Sequence, residues 1–323
     1  MRTKNQNVLV IVGLSIFMSC LAKAENSTDK VKLEGKPGKF DFMAFDPVNH
    51  RVLAAHTGSK TLELVDTKSG KVLSAVKVGD AQGIAVDPTG KRYFLGDEKE
   101  KKIVVVDAEK LTPISEVSVE APVDAIAFDS KNKMIYASAD DGDHLWVIDP
   151  AAAKVVGKVA IPGEPEGIEY SAANDRLYLN IKTKDQIVSI NPATNKVEAT
   201  WSTLPVNSPH GLTLDAKRNL AYVAGKNGKL VAIDLKTGNV KSSADITEGN
   251  DQLVYDAKSE KIFSACKGAV SVTKVTDSGL VAAGKIESPK GSHSIALDTE
   301  NHDVWITFSD SSHSYFQKLK MNE

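Results

Sequence analysis

Short apolar runs separated by polar turns recur along the chain with a period in the low forties. Each copy begins with one polar residue, continues into an apolar run, and ends that run at an acidic or small polar turn. Three further apolar or alternating runs complete the copy, as at residues 51–55, 61–65 and 71–78 in the first one. Seven copies are present, and their polar opening residues lie 41 to 44 positions apart: Asp41, Gln82, Asp124, Glu166, His210, Asp251 and His293. Four short strands per copy at this period predict an all-β fold, a seven-bladed β-propeller with four-stranded blades.

The seventh copy contains only three of the four runs, the last of them at residues 315–319. A segment with the alternation of a fourth strand lies ahead of the first copy, at residues 29–35. We therefore expect this N-terminal strand to complete the last blade and close the ring. Closure in this way leaves no open sheet edge between the first and last blades.

Two features occur in nearly every copy, and we interpret them as structural. A large side chain recurs at one position of the second strand, as Leu53, Phe94, Tyr136, Tyr178, Tyr222, Phe263 and Trp305. This set favours packing between blades over an aromatic ligand cage. Acidic residues follow the first strand at Asp46, Asp87, Asp129, Asp215, Asp256 and Asp298, and the third strand at Asp66, Asp107, Asp149 and Asp234, with Asn191 in the fourth copy. Such side chains bond the backbone of the turns that they begin, which removes them from the catalytic candidates.

Several runs carry a resemblance to a known propeller family. Residues 176–180 (RLYLN), 220–224 (LAYVA), 231–234 (VAID) and 237–240 (TGNV) are similar to the YVTN repeats of the YncE-like family. The resemblance extends over about residues 29 to 320. It implies the propeller fold, but it implies no single chemistry, since the family includes exported proteins without an assigned role and relatives of metal-dependent lactonases and lyases.

The first 24 residues have the pattern of a secretory signal peptide. Arg2 and Lys4 form a positive start, residues 8–18 are apolar, and residues 22–24 (AKA) supply small residues before a cleavage point. The apolar stretch is shorter than the ~20 residues that span a bilayer. We expect cleavage near Ala24, a single propeller domain over residues 25–323, and a periplasmic or secreted protein. Acylation of Cys20 in a lipoprotein is the alternative, which Phe17 disfavours.

Cysteine content and charge narrow the function classes. Cleavage would leave Cys266 as the one cysteine of the mature chain, so no intramolecular disulfide is expected. The full chain has a net charge of -2, and loss of the basic leader makes it more negative. This balance disfavours nucleic acid as a partner. We expect a monomer without a transmembrane segment that binds a small molecule, a metal or an envelope protein.

The seven opening residues are the candidate site, because they begin the strands that line the channel of a propeller. We assign a divalent metal to His210, Asp251 and His293, since two imidazoles and one carboxylate suit transition metals. We assign ligand binding to Asp41, Gln82, Asp124 and Glu166, together with His56 from a neighbouring loop. The alternative is a polar ring that only hydrates the channel mouth.

The leading hypothesis is a binding or interaction protein, and no catalytic residue is assigned. An enzyme is the alternative: a metal-dependent lactonase or lyase, in which the metal acts as Lewis acid and Glu166 or Asp124 as general base. A purely structural platform for protein interactions is the third class. The sequence contains no nucleophile elbow, phosphate loop or dinucleotide fingerprint.

Overall fold

A computed structural model of the chain describes residues 29–319. This part of the chain forms seven four-stranded antiparallel sheets and contains no α-helix, only a 3-10 turn at Thr57–Ser59. The predicted all-β, seven-bladed propeller is therefore confirmed. The predicted signal peptide, residues 1–24, lies outside the described residues.

The first strand of the chain, β1 (Asp29–Lys32), belongs to the last blade. Blades 1 to 3 consist of β2 (Met43–Asp46), β3 (Arg51–His56), β4 (Thr61–Asp66), β5 (Val72–Lys77), β6 (Ala81–Val86), β7 (Arg92–Asp97), β8 (Lys102–Asp107), β9 (Thr112–Ser118), β10 (Val123–Asp129), β11 (Met134–Ala139), β12 (His144–Asp149) and β13 (Lys154–Ala160). Blades 4 to 6 consist of β14 (Pro165–Ser171), β15 (Arg176–Ile181), β16 (Gln186–Asn191), β17 (Lys196–Ser202), β18 (Pro209–Asp215), β19 (Leu220–Gly225), β20 (Lys229–Asp234), β21 (Val240–Asp245), β22 (Gln252–Asp256), β23 (Lys261–Cys266), β24 (Ala269–Thr276) and β25 (Gly279–Glu287). Blade 7 adds β26 (Ile295–Asp298), β27 (Asp303–Ser309) and β28 (Ser314–Leu319).

Each blade runs outward from an inner strand at the channel to an outer strand at the rim. The inner strands are β2, β6, β10, β14, β18, β22 and β26, and each contacts the inner strands of both neighbouring blades. Middle strands such as β11 are buried almost throughout because sheets cover them on both sides, and their sequences are accordingly apolar. Outer strands such as β17 alternate between exposed and half-buried side chains.

The hydrophobic core lies between the blades, as seven clusters, rather than at one centre. Each cluster combines side chains of two adjacent sheets. The recurrent large residues of the second strands are all 2% exposed or less, which confirms the packing interpretation: Leu53, Phe94, Tyr136, Tyr178, Tyr222, Phe263 and Trp305.

The acidic turns are also structural, as predicted. In the first blade the Oδ1 atom of Asp46 accepts the backbone N–H groups of Val48 at 2.9 Å and Asn49 at 3.1 Å. The same side-chain to backbone bonds recur after the first strand at Asp87, Asp129, Asp215, Asp256 and Asp298, and after the third at Asp66, Asp107, Asp149, Asn191 and Asp234. These bonds satisfy backbone donors that a tight turn leaves without a strand partner.

The N-terminal strand completes blade 7 as the sequence predicts. Strand β1 pairs antiparallel with β28, with Val31 opposite Phe316. The next residue but one, Leu33, donates its backbone N–H to Ser314 O at 2.9 Å and is 1% exposed in the cluster between blades 7 and 1. The ring is thus closed by both ends of the described chain.

A second tie across the closure comes from one side chain in the channel. Gln252, on β22 of blade 6, reaches past blade 7 to β2 of blade 1. Its Oε1 atom accepts the N–H groups of Met43 at 3.2 Å and Ile295 at 3.1 Å, and its Nε2 atom donates to Met43 O at 2.7 Å. The side-chain amide of Gln252 therefore links three blades by hydrogen bonds.

We predict that Leu33→Ala destabilises the fold by about 2–4 kcal/mol, because it removes a fully buried side chain from the closing cluster. The exposed neighbour provides the control, and Glu34→Ala should change the free energy of unfolding by less than about 0.5 kcal/mol. Urea unfolding of both variants measures the difference. Equal stability of the two variants would show that the segment beyond β1 does not hold the ring closed.

Candidate binding site at the mouth of the central channel

Four opening residues reach the channel because each lies in a β-bulge. The pairing of the first two strands shifts register across Gln82 in blade 2, Asp124 in blade 3, Glu166 in blade 4 and His210 in blade 5. A bulge leaves its residue outside the regular ladder and redirects the side chain. The four side chains therefore point to one end of the channel.

The residue after the opener is glycine in several blades, and the packing explains it. A Cβ atom added to Gly83 would lie 2.2 Å from Asp124 O, and one added to Gly167 would lie 2.5 Å from His210 O. No side chain fits at either point, so glycine allows the inner strands of neighbouring blades to approach closely. This approach crowds the opening residues together.

The openers of blades 6, 7 and 1 lie just ahead of their inner strands and form a cluster. One ligand atom each from Asp41, Asp251 and His293 lies within 4.8 Å of the other two. His293 Nδ1 is 2.7 Å from Asp251 Oδ2, and Lys226 Nζ is 2.7 Å from Asp251 Oδ1. Two carboxylates and one imidazole are a donor set that suits a divalent transition metal.

His210 is turned away from this cluster. Its Nδ1 atom is 2.8 Å from Ser208 O, and its Nε2 atom is 3.2 Å from Glu166 Oε1. The structure therefore brings Asp251 and His293 together as the metal hypothesis requires, but with Asp41 as the third member. The cluster belongs to blades 6, 7 and 1 instead of blades 5, 6 and 7.

A cavity of about 250 Å³, here named the mouth, lies between the opening residues. Its lining includes six of the seven openers: Asp41, Gln82, Asp124, Glu166, His210 and Asp251. Sequence reasoning placed these residues at one end of the channel, and the structure shows that they share one cavity. Its volume is below the range of about 300–1,000 Å³ that is usual for ligand pockets, which fits a very small molecule or one side chain of a partner.

A second ring of charged residues contributes to the mouth and was missed by sequence reasoning. In blades 2 to 5 the first residue after the second strand donates its backbone N–H to the segment that precedes the inner strand. These residues are Glu98, Asp140, Lys182 and Lys226. The signal that could have revealed them is the same position in each repeat, directly after the apolar second strand.

The crowded carboxylates have raised pKa values. Burial raises the pKa of Asp41 to about 6, against the opposing charge of Lys39. Burial also raises the pKa of Glu166 to about 7, although Lys182 lowers it. The pKa of Asp124 is raised well above its usual range by burial and then by the charges of Glu166 and Asp41. The mouth therefore carries more acidic groups than it can ionise without cost.

Two other groups at the mouth, Asp251 and His210, have lowered pKa values. Burial raises the pKa of Asp251, but the hydrogen bond from His293 and the charge of Lys226 outweigh it, and the pKa lies below the ordinary value. Burial lowers the pKa of His210 to about 4, with a further contribution from Lys226. Near neutral pH, His210 is thus a neutral imidazole beside the carboxyl group of Glu166.

His56 lies apart from the mouth, fully buried between the first and last blades. Its ring stacks on Phe40 at 4.1 Å, with Nδ1 3.4 Å from Glu63 Oε1 and Nε2 3.1 Å from Ser314 Oγ. The order Ser–His–Glu is that of a hydrolase triad. All three side chains are 2% exposed or less, so a substrate has no access to them. The arrangement instead ties the segment before blade 1 to blade 7.

Below the mouth the channel widens to about 400 Å³ between the inner strands. Apolar residues such as Phe42, Ile126 and Leu253 contribute to this lining, and Gln252 lines both compartments. Among residues 29–319, Glu169 is the one acidic residue that lines only the lower compartment, and burial alone raises its pKa to about 7.

Comparison with solved structures shows the same fold in proteins of little sequence similarity. The chain superposes with a TM-score of 0.78 on a chain of the crystal structure of the mitotic checkpoint complex, at 14% identity, covering 98% of this chain and 100% of that one. The TM-score is 0.75 for a chain of Kuenenia stuttgartiensis hydrazine synthase, at 16% identity, covering 90% and 98%. At this identity the likeness concerns the fold alone.

Comparison of the sequence, unlike comparison of the fold, identifies a family. No curated protein matches this chain significantly in sequence. Within residues 29–319, no helix is long and apolar enough to cross a membrane. A family profile matches residues 45–292, which is most of the propeller. The chain therefore belongs to the family described as outer membrane protein assembly factor BamB.

Proposed function

We propose that the protein is an exported, periplasmic binding protein, with repeats of the YVTN type, whose ligand sits at the mouth of the channel. The observation that carries the proposal is the charge of that cavity. Six carboxyl groups surround about 250 Å³: Asp41, Glu98, Asp124, Asp140, Glu166 and Asp251. Burial and mutual repulsion raise the pKa of several of them, so a bound cation would lower the free energy of the site.

Membership of the family supports a role in interaction with other envelope proteins. The description of the family names an assembly factor of the outer membrane. A closed ring of seven blades exposes loops at both ends, and such loops are a rigid frame for a partner. An envelope partner that is captured equally by the unchanged protein and by the double variant His210→Ala, His293→Ala would identify a platform that works without the mouth.

The Asp41, Asp251 and His293 cluster is the part of the mouth that fits a divalent metal. Its donors would supply two carboxylate oxygens and one imidazole nitrogen. Metal binding there would compete with the contacts that Lys226 Nζ and His293 Nδ1 make with the Asp251 carboxylate, each at 2.7 Å. Affinity should therefore rise with pH, since a metal requires the neutral imidazole.

We predict that His293→Ala weakens Zn²⁺ binding at least tenfold, whereas His210→Ala changes it less than about threefold. The two variants are matched, because both remove an imidazole from the channel mouth and only one removes it from the cluster. Isothermal titration with Zn²⁺ and Mn²⁺ measures both. Equal losses of affinity in the two variants would instead support a metal bound by His210, Asp251 and His293. If the unchanged protein binds no stoichiometric metal, the metal site is rejected.

A second candidate function, a metal-dependent lactonase or lyase, is favoured by one observation. The carboxyl group of Glu166 has a pKa of about 7 and lies 3.2 Å from His210, which suits a general base near neutral pH. In a panel of γ- and δ-lactones with and without chelator, an enzyme should lose turnover on Glu166→Gln. The exposed control Glu287→Gln should retain turnover. Absence of hydrolysis across the panel counts against the lactonase.

We predict a pH-dependent stabilisation by Glu166→Gln. A raised folded-state pKa means that ionised Glu166 destabilises the fold above pH 7, and this cost disappears as pH falls toward the usual value of 4.5. The groups that face it are Lys182, His210, Asp124, Asp251 and Lys226. The variant should therefore melt roughly 2–5 °C higher than the unchanged protein at pH 8, and equally at pH 5. A difference that is constant across this range, or that Glu287→Gln reproduces, contradicts the prediction.

A further inference from the structure

One sector of the mouth has acidic groups that form no ion pair with a described residue, although the charge of Lys182 acts on two of them from a distance. It consists of Gln82 and Asp124, the openers of blades 2 and 3, and of Glu98 and Asp140, which follow the second strands of the same blades. All four line the cavity. We name this set the acidic sector.

The acidic sector differs from the rest of the mouth in its ion pairing. Glu166 pairs with Lys182 and lies 3.2 Å from the neutral imidazole of His210, and Asp251 pairs with Lys226 and lies 2.7 Å from His293 Nδ1. Among residues 29–319, no lysine, arginine or histidine forms an ion pair with the three carboxylates of the sector. The second ring explains this asymmetry, because the position that holds lysine in blades 4 and 5 holds an acid in blades 2 and 3.

Gln82 supplies an observation that is independent of charge. Its side chain is 7% exposed, and its Nε2 atom donates to the carboxylate of Glu98. That bond fixes the orientation of the amide, since the reverse orientation would place its carbonyl oxygen against the carboxylate. The Oε1 atom is buried and has no hydrogen-bond partner in the described part of the chain. A buried acceptor of this kind is costly, and what it lacks is a donor.

The raised pKa of Asp124 also indicates that the acidic sector would gain from a positive charge. Burial, then the charges of Glu166, Asp41 and Asp140, raise its pKa. The pKa of Asp140 is also raised, first by burial and then by Asp141. A positive donor between these groups would offset the repulsion, and a small movement of the Gln82 side chain would let the same donor bond to its Oε1 atom.

The spacing of the acceptors selects the kind of cation. Among the described residues, only Asp41, Asp251 and His293 bring three acidic or imidazole ligand atoms within 4.8 Å of one another. The sector's carboxylates do not converge in that way, so they do not form a chelate for a bare metal ion. An ammonium group has three separate donors that suit acceptors on different strands, whereas the planar guanidinium prefers both oxygens of one carboxylate.

We propose that the acidic sector of the mouth is a subsite for a primary ammonium group. The proposal rests on the proposed function in that the ligand sits at the mouth, and it adds the chemical class of that ligand. The ammonium group belongs either to a free alkyl diamine or to a lysine side chain of a partner protein. The small volume of the mouth admits one such chain at a time.

The experiment measures the binding of amine probes by isothermal titration at low salt and pH 7.5. The protein is expressed from the full sequence and then purified. The probes are 1,5-diaminopentane for the free source and a short lysine peptide with blocked termini for the partner source. Tetramethylammonium and methylguanidinium are the comparison cations, since one lacks N–H donors and the other is planar. We expect saturable binding of at least one primary amine, at least tenfold tighter than that of either comparison cation. The tighter of the two amine probes identifies the source.

Three variants locate the bound amine. Asp124→Asn should weaken it at least tenfold and Gln82→Met at least threefold, because they remove a charge and an acceptor from the sector. The control Asp277→Asn removes an exposed charge from the β24–β25 turn and should leave binding unchanged. Asp124→Asn relieves repulsion between like charges, so its melting temperature should not fall, and loss of binding cannot be ascribed to unfolding.

The outcomes separate this inference from the proposed function. Amine binding that is absent, matched by tetramethylammonium or methylguanidinium, or unaffected by Asp124→Asn overturns the ammonium subsite. If Zn²⁺ still binds and depends on His293, the mouth remains the binding site and only the ammonium assignment fails. If neither amine nor metal binds, both the subsite and the proposed ligand at the mouth are rejected.

Discussion

Face-to-face packing between blades is the interaction on which the rest of this molecule depends. A single four-stranded sheet of this composition has two apolar faces and cannot bury either one alone. The seven clusters between neighbouring sheets bury them, and the ring is complete only because β1 and β28 bring both ends of the described chain into blade 7. Leu33 and the amide of Gln252 add to this closure from the rim and from the channel respectively.

The same packing creates the site. Inner strands that approach closely enough for Gly83 to contact a neighbouring carbonyl must also bring their opening residues together. Six of the seven openers are acidic or imidazole groups, and five of these line the mouth, where burial opposes ionisation. Blades 4 to 7 relieve this crowding with ion pairs, such as the one between Lys226 and Asp251. Among the described residues, the carboxylates that blades 2 and 3 contribute to the mouth form no ion pair, so charge is unevenly distributed around the mouth.

Periodicity explains why the fold could be predicted and why part of the site could not. The repeat length and the large second-strand residues are properties of every copy, the acidic turns are properties of nearly every copy, and all are confirmed. Equivalent positions in the repeat do not fix where the side chains point, however. Asp41 precedes its strand whereas His210 occupies a bulge, so the metal-like cluster contains the former instead of the latter. His56 ends β3, a middle strand, and lies in the seam between blades 1 and 7, where Phe40 and Ser314 cover it.

The two rings of the mouth also show where a repeat protein is free to carry specificity. Residues that pack between blades or begin turns are nearly constant from copy to copy because every copy must fold. The openers and the residues after the second strands vary in charge at equivalent positions, as from Asp140 to Lys182, without altering the backbone bonds around them. Since the scaffold does not dictate these charges, their arrangement is available to a ligand. The acidic sector occupies one part of the mouth, and ion pairs occupy the rest. This uneven charge creates an electric field across the cavity, which can orient an asymmetric cation within a nearly symmetric ring.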